Sequence, residues 1–289
     1  MNTHINLKKA TIFGLGAALS FSIMALFVKF AAPHTNNNVI IFFRFGVSFF
    51  YIAIILIFKT LLRNTKFPIK TKHFKLHLFR AFASMAAMLL FYYSLAHINL
   101  IDANLLVMTS PLFVPIFAVF FFHEKTNWKS ILAIIIAFIG IACVIKPGHE
   151  LFNPVSLIAL LSGISVAIII LTVRVLSIYD HPHTCMFYYF SLAFLMSGII
   201  SIFHWQTPDL HTVILLLIVG VFGTSYQEFL IRASQHAQAR IVSTLLYTSV
   251  IFSGLLGWQI WGEIPDLLSW IGIILVCTGS IFTIFFAKE

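Results

Sequence analysis

The amino-acid sequence predicts an all-α integral membrane protein with ten transmembrane helices, arranged as two inverted five-helix repeats. Three observations predict it: a composition without a water-facing surface, a succession of long apolar runs, and a repeat within the chain. Of 289 residues, 60% are hydrophobic and 9% charged, with 32 Phe. The mean hydropathy is +1.00. Soluble domains carry about 45 to 50% apolar and about 25% charged residues, so lipid must solvate much of this surface. Disordered chains, secreted disulfide scaffolds and cytosolic enzymes are thereby excluded.

A hydrocarbon core of about 30 Å takes about 20 apolar residues per helix, and the spans follow in order. The first, 10–32, comes after Lys8 and Lys9; it is longer than the apolar core of a signal peptide and has an internal counterpart, so it is a helix rather than a leader. The second, 39–58, and the third, 78–96, flank the basic stretch 59–77, the longest connection. The fourth, 101–122, holds Pro111 and Pro115; each lacks a backbone donor and clashes with the preceding turn, which breaks the helix at mid-membrane. The fifth, 128–145, includes the unbroken apolar run Ile131 to Val144, unlike the alternating strands of a membrane barrel. The second half supplies 155–173, 184–203, 211–231, 241–261 and 267–287. The connections leave no room for a soluble domain.

An offset of 139 pairs His97 with His236, Thr109 with Thr248, Ser110 with Ser249, Glu124 with Glu263, Ser130 with Ser269 and Gly140 with Gly279. Toward the N-terminus the offset becomes 145, pairing Ser20 with Ser165, Lys29 with Arg174 and Phe42, Phe45 and Phe49 with Phe187, Phe190 and Phe194. Polar and glycine matches carry weight in a chain so rich in apolar residues, and they define a first repeat at 1–147 and a second at 148–289. Five spans per copy is odd, so the second copy enters the membrane from the opposite side. Of the 18 lysines and arginines, all but Lys29, Lys146 and Arg44 fall at one face. The positive-inside rule puts that face, and both termini, in the cytoplasm. The net charge of +9 is thus a topology signal rather than a nucleic-acid footprint. Cys143, Cys185 and Cys277 lie apart in or beside apolar runs and read as small hydrophobes.

Phe43-Arg44-Phe45, Arg80, the stretch from Ser110-Pro111 through Pro115 to Glu124, Gly140 and Lys146-Pro147-Gly148 together resemble the drug/metabolite transporter superfamily, EamA type. The second copy repeats the pattern in Ser243 to Ser249 and Trp261-Gly262-Glu263, without the proline that many relatives carry near Val250. The resemblance implies ten helices in two inverted repeats. Spans one, three, four, six, eight and nine would surround a central cavity, with spans five and ten outside.

On that expectation Thr109 and Ser110, beside the break in span four, and Tyr247, Thr248 and Ser249 in span nine would ring a midplane cavity. Bonding back to their own helices is the alternative. Ser84, Met88 and Tyr92 share one face of span three at i, i+4 and i+8. Span one offers Ser20, Met24 and Phe27, and span six offers Ser162 and Ser165. For these small polar residues helix packing competes with cargo binding.

Charge narrows the function. Glu228 is the one acid away from the ends of a span, four residues before Arg232, so proton coupling competes with an interfacial ion pair. Arg44 is the one uncompensated cation away from the ends of a span; it either recognises charge or snorkels toward water. The expected function is transport of a small metabolite by alternating access, an amino acid or other zwitterionic or anionic compound being favoured, as exporter or exchanger in a bacterial inner membrane. Proton-coupled drug or metabolite efflux through Glu228 is the alternative, and an intramembrane enzyme is disfavoured. His73 and His77 have i, i+4 spacing, but no converging carboxylate or further histidine is evident, so no metal and no cofactor is expected. Lys29 with Glu263 outside and Arg174 with Glu124 inside would form two alternating gates; snorkelling and helix dipoles are the competing account. Partners would be the substrate and the bilayer, and a homodimer stays open.

Overall fold

The computed structural model describes residues 7–63, 70–110, 154–236, 242, 245–262 and 266–286, with scattered positions between 112 and 143. Every regular element among them is an α-helix: α1 (Leu7–Ala31), α2 (Asn37–Arg63), α3 (Phe74–His97), α4 (Leu100–Val107), α5 (Pro154–Tyr179), α6 (Pro182–Phe203), α7 (Leu210–His236), α8 (Thr248–Trp261) and α9 (Leu267–Phe286). Helix is what lipid demands, because each backbone donor and acceptor must be paired within its own segment. Six of these helices, α1, α2, α3, α5, α6 and α7, are long and apolar enough to cross a membrane.

The helix starts are legible in the chain. Asn36, Asp209 and Asp266 accept the amides of Val39, Thr212 and Ser269 at 3.0, 3.1 and 3.1 Å, capping α2, α7 and α9. Each satisfies one of the first-turn donors that a helix leaves open. Hydrogen bonds from Thr212 hold the Asp209 carboxyl below its ordinary range. α6 opens with Pro182 behind His181, where a missing N–H costs nothing.

Packing follows a pattern of exchange. α1 packs most extensively on α7, and α3 on α5; α2 packs on α7 and α3 on α6; α1 packs on α8 and α5 on α4. The pairs α2 with α6 and α4 with α8 complete the bundle. Glycines set the closest approaches: a Cβ on Gly220 of α7 would come 2.5 Å from Val47 of α2, and one on Gly163 of α5 would come 2.7 Å from the Leu106 carbonyl. Small residues let membrane helices gain dispersion contact where no hydrophobic force drives them together.

The outer surface is apolar. Trp128, Leu132, Ile135 and Ile139 are all exposed, four, three and four residues apart, as one helical stripe facing lipid. α9 likewise exposes Leu267, Trp270, Ile271 and Ile274.

Candidate functional site

Two helix breaks create the site. α4 ends at Val107, and a turn at Met108 and Thr109 follows. Pro111 would clash with the Val107 carbonyl in a continuous helix. The Thr109 hydroxyl donates to the Leu106 carbonyl at 2.6 Å. In the other half the helix turns at Tyr247 before α8, and the Thr248 hydroxyl donates to the Leu245 carbonyl, also at 2.6 Å. The two threonines are the pair related by 139 residues, and each closes its break the same way.

A cavity lies against both breaks. It is lined by Val107 and Met108 on one side and Val242 and Leu246 on the other, with Phe21, Met88 and Val166, Ile169, Ile170 and Val173 of α5. Its empty volume, mouth included, is about 860 Å³. The wall is apolar except where Arg44, Tyr189, Tyr226, Gln227 and Ser234 enter it. Ser234 and Val242 carry it toward the end of the bundle where α1 begins and α7 finishes.

Arg44 is the strongest chemical feature of this wall. It is 0% exposed, and none of its three guanidinium nitrogens meets an acceptor in hydrogen-bond geometry among the described residues. Its Cζ lies 4.4 Å from the ring centroid of Phe45. The Tyr92 hydroxyl is a polar group within reach of the guanidinium but directed toward Met24 Sδ at 3.5 Å, and no carboxylate among the described residues neutralises Arg44. Gly223 of α7 makes the room: a Cβ there would lie 3.1 Å from Arg44 Nε and 3.2 Å from Met24 Sδ. The Gln227 amide oxygen is buried at the same wall and also lacks a partner among the described residues. A cation and a polar amide in an apolar enclosure can receive an anionic group and orient the rest of a ligand.

The structure redistributes the residues expected from the sequence. Met88 lines the cavity; Ser84 and Tyr92 are buried beside it in α3. Thr109, Ser110, Tyr247 and Ser249 are buried, but the cavity wall is made by their neighbours Val107, Met108 and Leu246. The Ser249 carbonyl instead receives the Ser22 hydroxyl at 2.9 Å and the Asn104 amide at 3.2 Å, tying α8 to α1 and α4. Ser165 bonds back to Leu161 at 3.1 Å, and Ser162 donates to the Ala87 carbonyl at 3.0 Å, joining α5 to α3. Glu228 is held by the Tyr51 hydroxyl at 2.5 Å and by Arg232. Lys29 donates to the Ile98 carbonyl at 3.3 Å and lies 4.8 Å from the Trp261 ring centroid. Glu124, Glu263 and the Arg174 side chain lie outside the described residues.

One open alternative is decided and two expectations are corrected. Arg44 does not snorkel: its eighth place in α2 sets it about 10 Å down the helix, and neighbours close over it. Arg80 does not face water as a topology charge would: it is 0% exposed, its Cζ 4.4 Å from the Tyr189 ring centroid. His77 is not an interfacial residue without a converging acid. It is buried with Nε2 2.8 Å from Asp180 Oδ2, an oxygen that also accepts the Thr71 hydroxyl at 2.7 Å. Asp180 comes from the turn between α5 and α6, a hundred residues away, so no local pattern announced it. Cys185 joins this group, which puts a nitrogen, an oxygen and a sulfur within 4.8 Å. The hydrogen bond already formed and the neighbouring Arg80 guanidinium favour an interhelical latch there over a cation site. Gln227 was missed because an amide in an apolar run carries no charge signal.

The profile of the EamA-like transporter family matches the chain twice, over residues 8–146 and 153–285. The pseudopaline exporter of Pseudomonas aeruginosa strain UCBPP-PA14 is 27% identical over 277 residues, 95% of each chain. The S-adenosylmethionine uptake transporter of Rickettsia felis is 25% identical over 285 residues, 97% of this chain and 95% of that one. The riboflavin transporter of Vibrio cholerae is 26% identical over 278 residues, 95% and 92% of the two chains. A crystal structure covering 98% of this chain and 100% of its own superimposes with a TM-score of 0.69 at 14% identity, so the two share a fold. The chain is a multi-pass integral membrane protein and belongs to the EamA-like transporter family.

Proposed function

We propose that this protein moves a small anionic or zwitterionic metabolite across the bacterial inner membrane by alternating access, and that Arg44 receives the cargo's carboxylate. The fully buried guanidinium at the cavity wall, with no carboxylate against it among the described residues, carries this reading. A guanidinium stays charged in any protein environment, and a buried charge is costly until an opposite charge meets it. Gln227 beside it would take the ammonium or another polar group of the same molecule. Amino acids and their derivatives fit this pair. Relatives named for pseudopaline, S-adenosylmethionine and riboflavin support metabolite cargo and leave its identity to this wall.

Inverted repeats of five spans each, 1–147 and 148–289, support the alternating mechanism. Exchanging span n with span n+5 turns α1 on α7 into α5 on α3, α2 on α7 into α6 on α3, and α1 on α8 into α5 on α4. Each of these pairs exists, as a pseudo-twofold arrangement requires. With both termini cytoplasmic, the cavity extends inward, while Lys29 and Trp261 tie the outer end. Glu228, engaged by Tyr51 and Arg232, is an ion-paired rim residue in this scheme rather than a coupling site.

The test is a thermal-stability screen of the detergent-solubilised protein with butyrate, pentanoate and neutral L-amino acids. Stabilisation is expected in the wild type, with affinity falling about 10- to 100-fold in Arg44→Gln, since a hydrogen bond to a charged group contributes about 1.5 to 3 kcal/mol. Stabilisation by amines or neutral compounds alone, indifferent to Arg44→Gln, would overturn the assignment.

A further inference from the structure

Arg80 is a second guanidinium in the same condition as Arg44. It too is 0% exposed, and its three nitrogens have no acceptor in hydrogen-bond geometry among the described residues. Among the described residues, the acids at this end of the bundle are already engaged: Asp180 accepts from His77 and Thr71, and Glu228 from Tyr51 and Arg232.

The two arginines bracket one pair of tyrosines. Arg80 stacks on Tyr189, whose ring lines the cavity that Arg44 enters. Tyr226 lines it too and is an electrostatic neighbour of both guanidiniums. Along the helices the charges are offset. Arg44 stands about 10 Å from the start of α2, and Arg80 about 9 Å from the start of α3, which begins at the opposite end of the bundle. An anion at Arg44 therefore leaves Arg80 uncompensated unless the same molecule reaches toward the other end.

We propose that the cargo carries two anionic groups, one received by Arg44 and the other by Arg80, with Tyr189 and Tyr226 packed along the chain between them. The proposal rests on the reading of Arg44 above and narrows its substrate class to dicarboxylates, acidic amino acids and related dianions. Arg80 stacks on Tyr189, which lines the cavity while Arg80 does not, so the proposal requires that ring to move aside when the second anionic group arrives. Each guanidinium presents a planar fork of donors that matches a carboxylate two bonds at a time. Weaker binding of a shorter or singly charged analogue follows, because that analogue leaves a buried cation bare.

The experiment compares matched probes at constant ionic strength: butyrate with succinate, pentanoate with glutarate, and L-glutamine with L-glutamate. Thermal stabilisation of detergent-solubilised wild type, Arg44→Gln, Arg80→Gln and Arg80→Lys is measured against probe concentration. In the wild type the dianion of each pair is expected to act at a concentration at least tenfold lower than its partner. Arg80→Gln should erase that preference and keep the monoanion response, while Arg44→Gln abolishes the monoanion response. Arg80→Lys, which keeps the charge but not the fork, should retain part of the preference. The proposal is overturned if the two members of each pair act equally on the wild type, a comparison that needs no variant to fold. It is overturned equally if no dianion stabilises the protein, or if Arg80→Gln keeps the preference. Persistence of the monoanion response in Arg44→Gln is the separate result that refutes the Arg44 assignment.

Discussion

At the scale of single residues, Gly223 governs whether Arg44 can take the role proposed for it. The missing Cβ is the space that Nε and the side-chain stem occupy, with Met24 on the other flank. Gly223→Ala should separate two properties. Alanine favours an α-helix by about 1 kcal/mol over glycine, so thermal stability without ligand is expected to hold or rise. Carboxylate affinity is expected to fall several-fold as the guanidinium is pushed aside. Parallel melting and titration would show this, and unchanged affinity would mean that Arg44 is not where the carboxylate sits. The sequence made Arg44 conspicuous because it is a lone cation in an apolar run. It could not rank Arg80, whose place beside the basic 59–77 stretch looks like one more topology charge until α6 lays Tyr189 against it. The pairing of His77 with Asp180 was equally hidden, since neither residue has a local reason to be buried.

At the scale of elements, the six long spans were legible as apolar runs because bilayer thickness fixes the length of a helix more tightly than any soluble core does. The break in span four was legible as well, since proline forbids continuation. The matching break before α8 was not, because no proline stands there and the turn is held by a threonine hydroxyl instead. That equivalence has a consequence for stability. Thr109→Val and Thr248→Val each remove the hydroxyl that bonds a carbonyl released by the break, leaving a buried acceptor unmet at a cost of about 1 to 3 kcal/mol. Thr109→Ser and Thr248→Ser keep the donor and should unfold near the wild-type midpoint in mixed-detergent titrations. A valine variant as stable as the serine variant would show that the break is held by helix packing alone.

At the scale of the whole molecule, transport by two related halves requires two states of similar free energy, one closed at each end. Lys29 of α1 lies over Trp261 of α8 and bonds the Ile98 carbonyl; in the proposed scheme these contacts close the outer mouth and the Glu263 carboxylate completes the closure. Such a partly solvated bridge is worth about 1 kcal/mol or less, too little to hold the fold but enough to move a balanced equilibrium by about fivefold. A cysteine at Leu26, buried at 6% exposure just below Lys29, would report the outer opening in a background with Cys143, Cys185 and Cys277 replaced by alanine. Lys29→Glu is expected to raise the rate at which a membrane-impermeant maleimide labels that cysteine from outside, by about fivefold or less. Adding Glu263→Lys restores opposite charges across the mouth and should return the rate to its starting value. If the second substitution leaves labelling fast, Lys29 acts through Trp261 and the Ile98 carbonyl alone, and closure of the outer mouth is set by aromatic packing rather than by charge.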